Sequence, residues 1–226
     1  MYKRQLQAAA VSDKVQADVT APTDVPALSA DETELVLTLG GDAVLGTREY
    51  WWNDPDSLPT YLNQYGMAYP FSSMQSLFAS DDMTFINLEC ALKEDGKGEQ
   101  TGRLWRFRGL PGYTEALCQG SIEQVNIANN HHGDYGTAGE ESTRQALIDA
   151  GMPFSGYGYT YVWEKNGHKI GFAGCRETTY KNDEFVIARD INRLREQGCD
   201  VIVYSCHWGT EYDDKHNALQ QEMAYR

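Results

Sequence analysis

The sequence predicts an α/β protein. Two observations carry this: apolar runs of strand length alternate with runs of helical spacing from residue 34 onward, and Asn166-Gly167 joins two apolar runs as a hairpin turn. A third observation concerns function, because four of the strand-like runs end in side chains able to hold a ligand. Hydrophobic residues make up 41% and aromatic residues 12% of the 226, enough to bury a core in one domain or at most two.

The elements follow in order. ELVLTLGGD (34–42) reads as a buried strand closing on a tight Gly-Gly-Asp turn. An aromatic loop (48–70) leads to FSSMQSLFASDD (71–82), a helix by the spacing of Phe71, Met74, Leu77 and Phe78. MTFINLEC (83–90) is a strand, PGYTEALCQG (111–120) a short helix stopped by Gly120, and SIEQVNIA (121–128) a strand running into NNHHGDYG. TAGEESTRQALIDAG (137–151) is a helix with Thr137 and Glu140 spaced as a capping box, and with Ala146, Leu147 and Ala150 facing inward. YTYVWEKNGHKIGFAG (159–174) is the hairpin. DEFVIARDINRLREQG (183–198) is an amphipathic helix on Phe185, Ala188, Ile191 and Leu194, and DVIVYSCHWG (200–209) a buried strand ending in His207.

Residues 6–33, rich in Ala, Asp, Val, Thr and Pro without a period, read as a disordered, solvated leader, leaving 34–226 as the folded domain. Such a leader commonly links a domain to an envelope anchor, and a cytosolic tail reads alike. Met1–Gln5 (MYKRQ) matches the translated end of a sequencing transposon, so an artefact is expected there, and the source codons test it. No apolar stretch is long enough to span a membrane, and the first residues lack the apolar region of a signal peptide. The five Cys form no CxxC pair and read as small buried side chains.

A formal net charge of −14 opposes nucleic acid and anionic membranes as partners. An anionic substrate would need a local positive charge, which a bound metal supplies. The strand-end residues fit that need: Asp42, Asn87 with Glu89, Asn130 with His131, and His207. In open α/β folds, functional groups gather beyond the strand ends. Carboxylate, imidazole and amide oxygen suit Mn, Zn, Fe or Mg, ions that polarise phosphoryl or carbonyl oxygens. Singly, each has an ordinary reading. Asp42 could make an Asx-turn, Asn130 a cap, His131 and His207 structural hydrogen bonds, Asp134 surface charge, and His132 is expected to face solvent, as are His168 and His216. Four strand ends repeating the pattern favour a site.

LTLGGDAVLG, INLEC, WRFRGLP, VNIANNHHGDYG, GFAG and VIVYSCHWGTEY, in this order, resemble the bacterial capsule-synthesis proteins of the CapA type, linked to poly-γ-glutamate capsules, over about residues 34–226. The resemblance implies a calcineurin-like metallophosphoesterase fold, a four-layer α/β/β/α sandwich with two mixed sheets. It implies a divalent metal centre, dinuclear in the complete protein, with Asp42, Glu89, Asn130 and His207 as ligands and His131 as general acid toward the leaving group. Asn87 and Asp134 would support these, and Glu211 would orient His207. Val44 stands where phosphoesterases carry a His. The family continues past the position of Arg226 into a strand and a GHHPH-type motif, so a C-terminally incomplete domain is expected. The implied function is that of an envelope-associated, extracytoplasmic and membrane-anchored capsule or exopolymer biosynthesis protein with metal-dependent hydrolase chemistry. Its implied partners are an anionic polymer or phosphorylated substrate and other capsule-synthesis proteins at the membrane, with no nucleic acid. The alternative is a non-catalytic polyanion-binding or assembly protein using the same cleft, toward which Val44 leans.

Overall fold

The computed structural model describes residues 34–226. The leader and the Met1–Gln5 start lie outside the described residues. The first sheet contains β1 (Leu37–Ala43), β2 (Met83–Leu88), β5 (Gln124–Asn126) and β6 (Phe154–Ser155), in that spatial order and all parallel. The second has β7 (Tyr161–Lys165), β8 (His168–Arg176) and β9 (Val201–His207), with β7 antiparallel and β9 parallel to β8. A small parallel pair, β3 (Ala91–Leu92) with β4 (Arg108–Gly109), lies apart from both. Only the second sheet is mixed among the described residues. Three crossovers join the four strands of the first sheet and keep them parallel.

Strand alternation builds the layers. Along β2, which is buried throughout, Met83 and Phe85 face the second sheet while Ile86 and Leu88 face away. Phe85 stacks on Phe172 of β8 with ring centroids 5.6 Å apart, and Ile170, Trp163 and Val203 fill the space between the sheets. The outer face of the first sheet packs on α1 (Leu58–Tyr65), α3 (Thr114–Gln119) and α4 (Gly136–Asp149) through Leu62, Ala116, Leu117, Ala146 and Leu147. The outer face of the second, with Cys175, Tyr204 and Cys206, packs on α5 (Glu177–Asn182), α6 (Val186–Glu196) and α7 (Ala218–Tyr225). The order is therefore helix, sheet, sheet, helix, as expected. Gly174 lets the sheets close at one end, because a Cβ there would overlap the Asn126 side-chain amide.

The hairpin forms as read: Asn166 and Gly167 have φ of 54° and 81°, the paired positive values of a type I′ turn. Other local readings are corrected. The helix over 71–82 shrinks to one turn, α2 (Gln75–Phe78), with Met74 and Leu77 exposed and only Phe78 buried. The aromatic loop contains a helix instead, α1, which Ser57 caps from its side chain with Pro59 in the first turn. The Thr137–Glu140 capping box does not form, because α4 begins earlier, after Tyr135. Thr143 and Gly139 join Ala146 and Leu147 on its buried face, and Ala150 is exposed beyond its end. In α6 the buried stripe is Val186, Ile187 and Leu194, and Phe185 stands exposed before the first turn. β9 is half-exposed rather than buried, since among the described residues it pairs only with β8.

Candidate metal centre

The strand alternation that fills the space between the sheets also aims polar residues into its open end. In β1 one extra residue, within Leu39-Gly40-Gly41-Asp42, shifts the register so that Asp42 pairs with Asn87. Asn87 in turn pairs with Asn126, and Arg176 pairs with His207 across the second sheet. Strands parallel within each sheet thus bring together side chains far apart in sequence. Asp42, Glu89 and His207 each offer a ligand atom, all within 4.8 Å of one another. They line a cleft of about 530 Å³ with Asn130, Arg176 and Trp208.

His207 is the hub. Its Nε2 lies 2.6 Å from Asn130 Oδ1 and 3.6 Å from Glu89 Oε1, while Nδ1 lies 3.6 Å from Asp42 Oδ1 and 3.3 Å from Asn87 Nδ2. Asn87 Nδ2 donates to Asp42 Oδ1 at 2.7 Å. The nearby His207 imidazole, aided by the Asn87 hydrogen bond and opposed by partial burial, holds the Asp42 carboxyl down to about 2. Burial and the neighbouring Asp42 charge push Glu89 up, against the pull of His207 and His131. Among the described residues neither carboxylate pairs with a Lys or Arg. Two carboxylates, an imidazole and an amide oxygen, with no Lys or Arg in ion-pair contact with the carboxylates, make a donor set that fits a divalent ion.

His131 occupies the next position on the rim. Its Nδ1 lies 2.6 Å from Asp134 Oδ2, which leaves Nε2 facing the cleft, 3.9 Å from Glu89 Oε1. Asp134 is fully buried, accepts from Phe107 N at 2.8 Å, and pairs with Arg103 Nη1 at 3.0 Å. It carries no surface charge; it holds an imidazole. The Phe107 ring tilts against His131 at 4.5 Å. Asn129 fixes the turn: its Oδ1 accepts from the backbone N–H groups of His131 and His132 at 3.1 and 2.9 Å. Its Nδ2 donates to Asn87 Oδ1 and to Leu88 O.

Two expectations fail here. Glu211 does not orient His207: no hydrogen bond joins them, both ring nitrogens face other groups, and Glu211 stands exposed on the rim. His132 does not face solvent. It is 1% exposed and stacks on Tyr157 at 5.5 Å, and burial, with Arg144 nearby, lowers its pKa to about 4. His168 and His216 are exposed, as read. Asn126, Asn129, Arg103 and Arg176 belong to the site without having been singled out. The doubled Asn of ANNH was the available signal for Asn129, since one Asn suffices for a turn.

A family model described as bacterial capsule synthesis protein PGA_cap matches residues 36–226. Among curated proteins, the capsule biosynthesis protein CapA of Bacillus anthracis is 24% identical over 224 residues, covering 88% of this chain and 52% of that protein. The PGA biosynthesis protein CapA of Bacillus subtilis (strain 168) is 24% identical over 181 residues, covering 71% and 48% respectively. The chain spans about half the length of the curated relatives it matches. A solved structure of a hypothetical protein from Thermus thermophilus aligns with 71% of this chain and 57% of that one, at 15% identity and a TM-score of 0.43. The family match takes in every strand and helix that frames the cleft, and the chain therefore belongs to the bacterial capsule synthesis proteins of the PGA_cap family.

Proposed function

We propose that this chain carries the metal-binding, phosphoesterase-like domain of an envelope-associated capsule or exopolymer biosynthesis protein, and that its cleft is a metal-dependent hydrolase site. The observation that carries the reading is the gathering of Asp42, Glu89 and His207 within 4.8 Å, beside a His131 already oriented by Asp134. Asp42, Glu89 and His207 would hold a divalent ion, Mn, Zn, Fe or Mg, with Asn130 Oδ1 completing the near side; their one group suits a single ion, and a second would need ligands beyond it. Such an ion supplies Lewis acidity at a phosphoryl or carbonyl oxygen. His131 would do the chain's own proton work: Asp134 accepts from Nδ1–H, and the Nε2–H of the imidazolium form would be given to a leaving group. Arg103 offsets the buried Asp134 charge and ties the Asn130 backbone oxygen at 2.8 Å, keeping acid and ligand in register.

The B. anthracis and B. subtilis proteins are named for capsule and PGA biosynthesis. Their names support a role in capsule biosynthesis at the cell envelope; an anionic polymer or phosphorylated compound as substrate, other capsule-synthesis proteins as partners, and an extracytoplasmic, membrane-anchored place for the full-length protein are part of the proposal. Among the described residues no helix is long and apolar enough to cross a membrane. One observation favours the second reading, a polyanion-holding assembly protein without turnover: β1 is followed by Val44, which offers no ligand. Purified chain is loaded with Mn, Zn, Fe or Mg in turn, its metal content measured by mass spectrometry, and hydrolysis of p-nitrophenyl phosphate followed. Metal-dependent turnover supports the hydrolase. Metal uptake without turnover moves the reading to the binding protein; no uptake defeats the metal-dependent hydrolase, and polyanion binding by the metal-free chain then favours the second reading.

A further inference from the structure

The cleft holds two arginines, and their charges are not equally available. Arg103 is committed to Asp134 Oδ1 and to Asn130 O. Arg176 ends β8 in register with His207 and lies against the Tyr157 hydroxyl. Among the described residues no carboxylate lies within the 4.0 Å ion-pair distance of Arg176, though its charge is felt by the adjacent Glu177. Glu177 is engaged instead by Lys181 and by the Gly209 N–H at 3.1 Å. Strand alternation places Arg176 on the same face of β8 as Ile170 and Phe172, which is the face toward the first sheet.

Arg176 also lines two hollows at once. One is the cleft of Asp42, Glu89 and His207; the other, of about 330 Å³, adjoins it and is walled by Arg103, Trp105, His131 and Glu211. Charge makes this position consequential. A divalent ion only cancels Asp42 and Glu89, and Glu211 adds a further negative charge. By formal charge the loaded centre would then be near neutral, so beyond direct coordination it would attract an anion only weakly within a chain of net charge −14. A half-buried guanidinium with no carboxylate in ion-pair contact supplies that attraction, and its planar fork matches the two oxygens of a phosphate or carboxylate.

We propose that Arg176 is the oxyanion anchor of the cleft, holding a phosphate or carboxylate group of the ligand between the metal triad and His131. The proposal builds on the metal-site reading, and its test separates the two. Metal-loaded wild type, Arg176→Ala and Arg176→Lys are titrated calorimetrically with inorganic phosphate and, separately, with glutarate. Metal content and thermal melting are measured on the same samples to establish that the variants fold and load alike. Arg176→Ala is expected to weaken the bound oxyanion by about tenfold or more. Arg176→Lys is expected to fall between, because it keeps the charge and loses the fork. Phosphate binding alone identifies a phosphoryl ligand, glutarate binding alone a carboxylate. Equal affinities in wild type and Arg176→Ala overturn the anchor, as does a wild type that binds neither anion. If wild type takes up no metal, the metal reading falls, and the same titrations without metal still decide the role of Arg176.

Discussion

Asp42 and Glu89 belong to one small group of ligand atoms, yet their surroundings drive their protons in opposite directions. His207 and Asn87 stabilise the Asp42 anion, while burial and that same anion disfavour charge on Glu89. A cation between them would relieve the conflict. As the proposed acid, His131 should contribute in a way that depends on the leaving group. His131→Gln is expected to lower turnover of an alkyl phosphoester by about 10²- to 10⁴-fold, and far less for p-nitrophenyl phosphate, whose leaving group needs little protonation. Metal content should be unchanged. Equal losses on both substrates would remove His131 as the acid. His132 has a different role, as a neutral ring in the core. Its folded pKa is about 4 against 6.5 for the free group, so between these values the unfolded chain binds the extra proton and stability falls as pH falls. Going from about pH 7 to about pH 5 should cost roughly 2 kcal/mol through this group, read from urea midpoints. His132→Phe, which keeps the ring against Tyr157, should show a correspondingly smaller acid loss; an identical loss would place the acid sensitivity elsewhere.

At the scale of elements, α4 shows why burial, and not helix propensity, holds the layers together. Leu147 is fully buried against the first sheet, and its neighbour Ile148 is 59% exposed. Leu147→Ala should therefore destabilise by about 2–5 kcal/mol, and Ile148→Ala by no more than about 0.5, in chemical denaturation. Similar costs would mean that α4 is seated differently. The contrast also marks how far the sequence could be read. Leu147 was legible because Ala146 and Leu147 repeat an inward face, and the hairpin because Asn-Gly needs positive φ at both residues. Phe185 was misread because residue type was taken for direction: it has the right spacing but precedes the first turn of α6. The helix α1 was missed because its aromatic residues mask a plain start signal, a capping Ser57 with Pro59 behind it. The candidate site was legible in its strand ends, since parallel strands leave little choice where those side chains go. Its hydrogen-bond wiring was not, because Asn129, Arg103 and Arg176 take their roles from contacts 27 to 42 residues away or across strands.

For the whole molecule, the question is what joins the two sheets at their functional end. Elsewhere they share an apolar seam of Met83, Phe85, Ile170 and Phe172, but at the strand ends the seam gives way to Asp42 and Glu89 from one side and His207 from the other. An ion held there would be bound by both sheets, so binding it should stabilise their packing. A site-bound ion present at about one hundred times its dissociation constant stabilises by roughly 2.7 kcal/mol, provided the unfolded chain does not bind it. With a net charge of −14, however, any salt should also help by screening self-repulsion. The comparison must therefore hold ionic strength fixed: chelator-stripped protein in sodium chloride against the same protein with Mn or Zn. The expected result is a higher urea midpoint with the divalent ion, abolished in Asp42→Asn and retained in Ile148→Ala. Because His207 lies on the second sheet, His207→Ala should lose the metal-dependent increment as fully as Asp42→Asn does. If Asp42→Asn loses it and His207→Ala keeps it, the ion binds to the first sheet alone, and the cleft does not link the two layers.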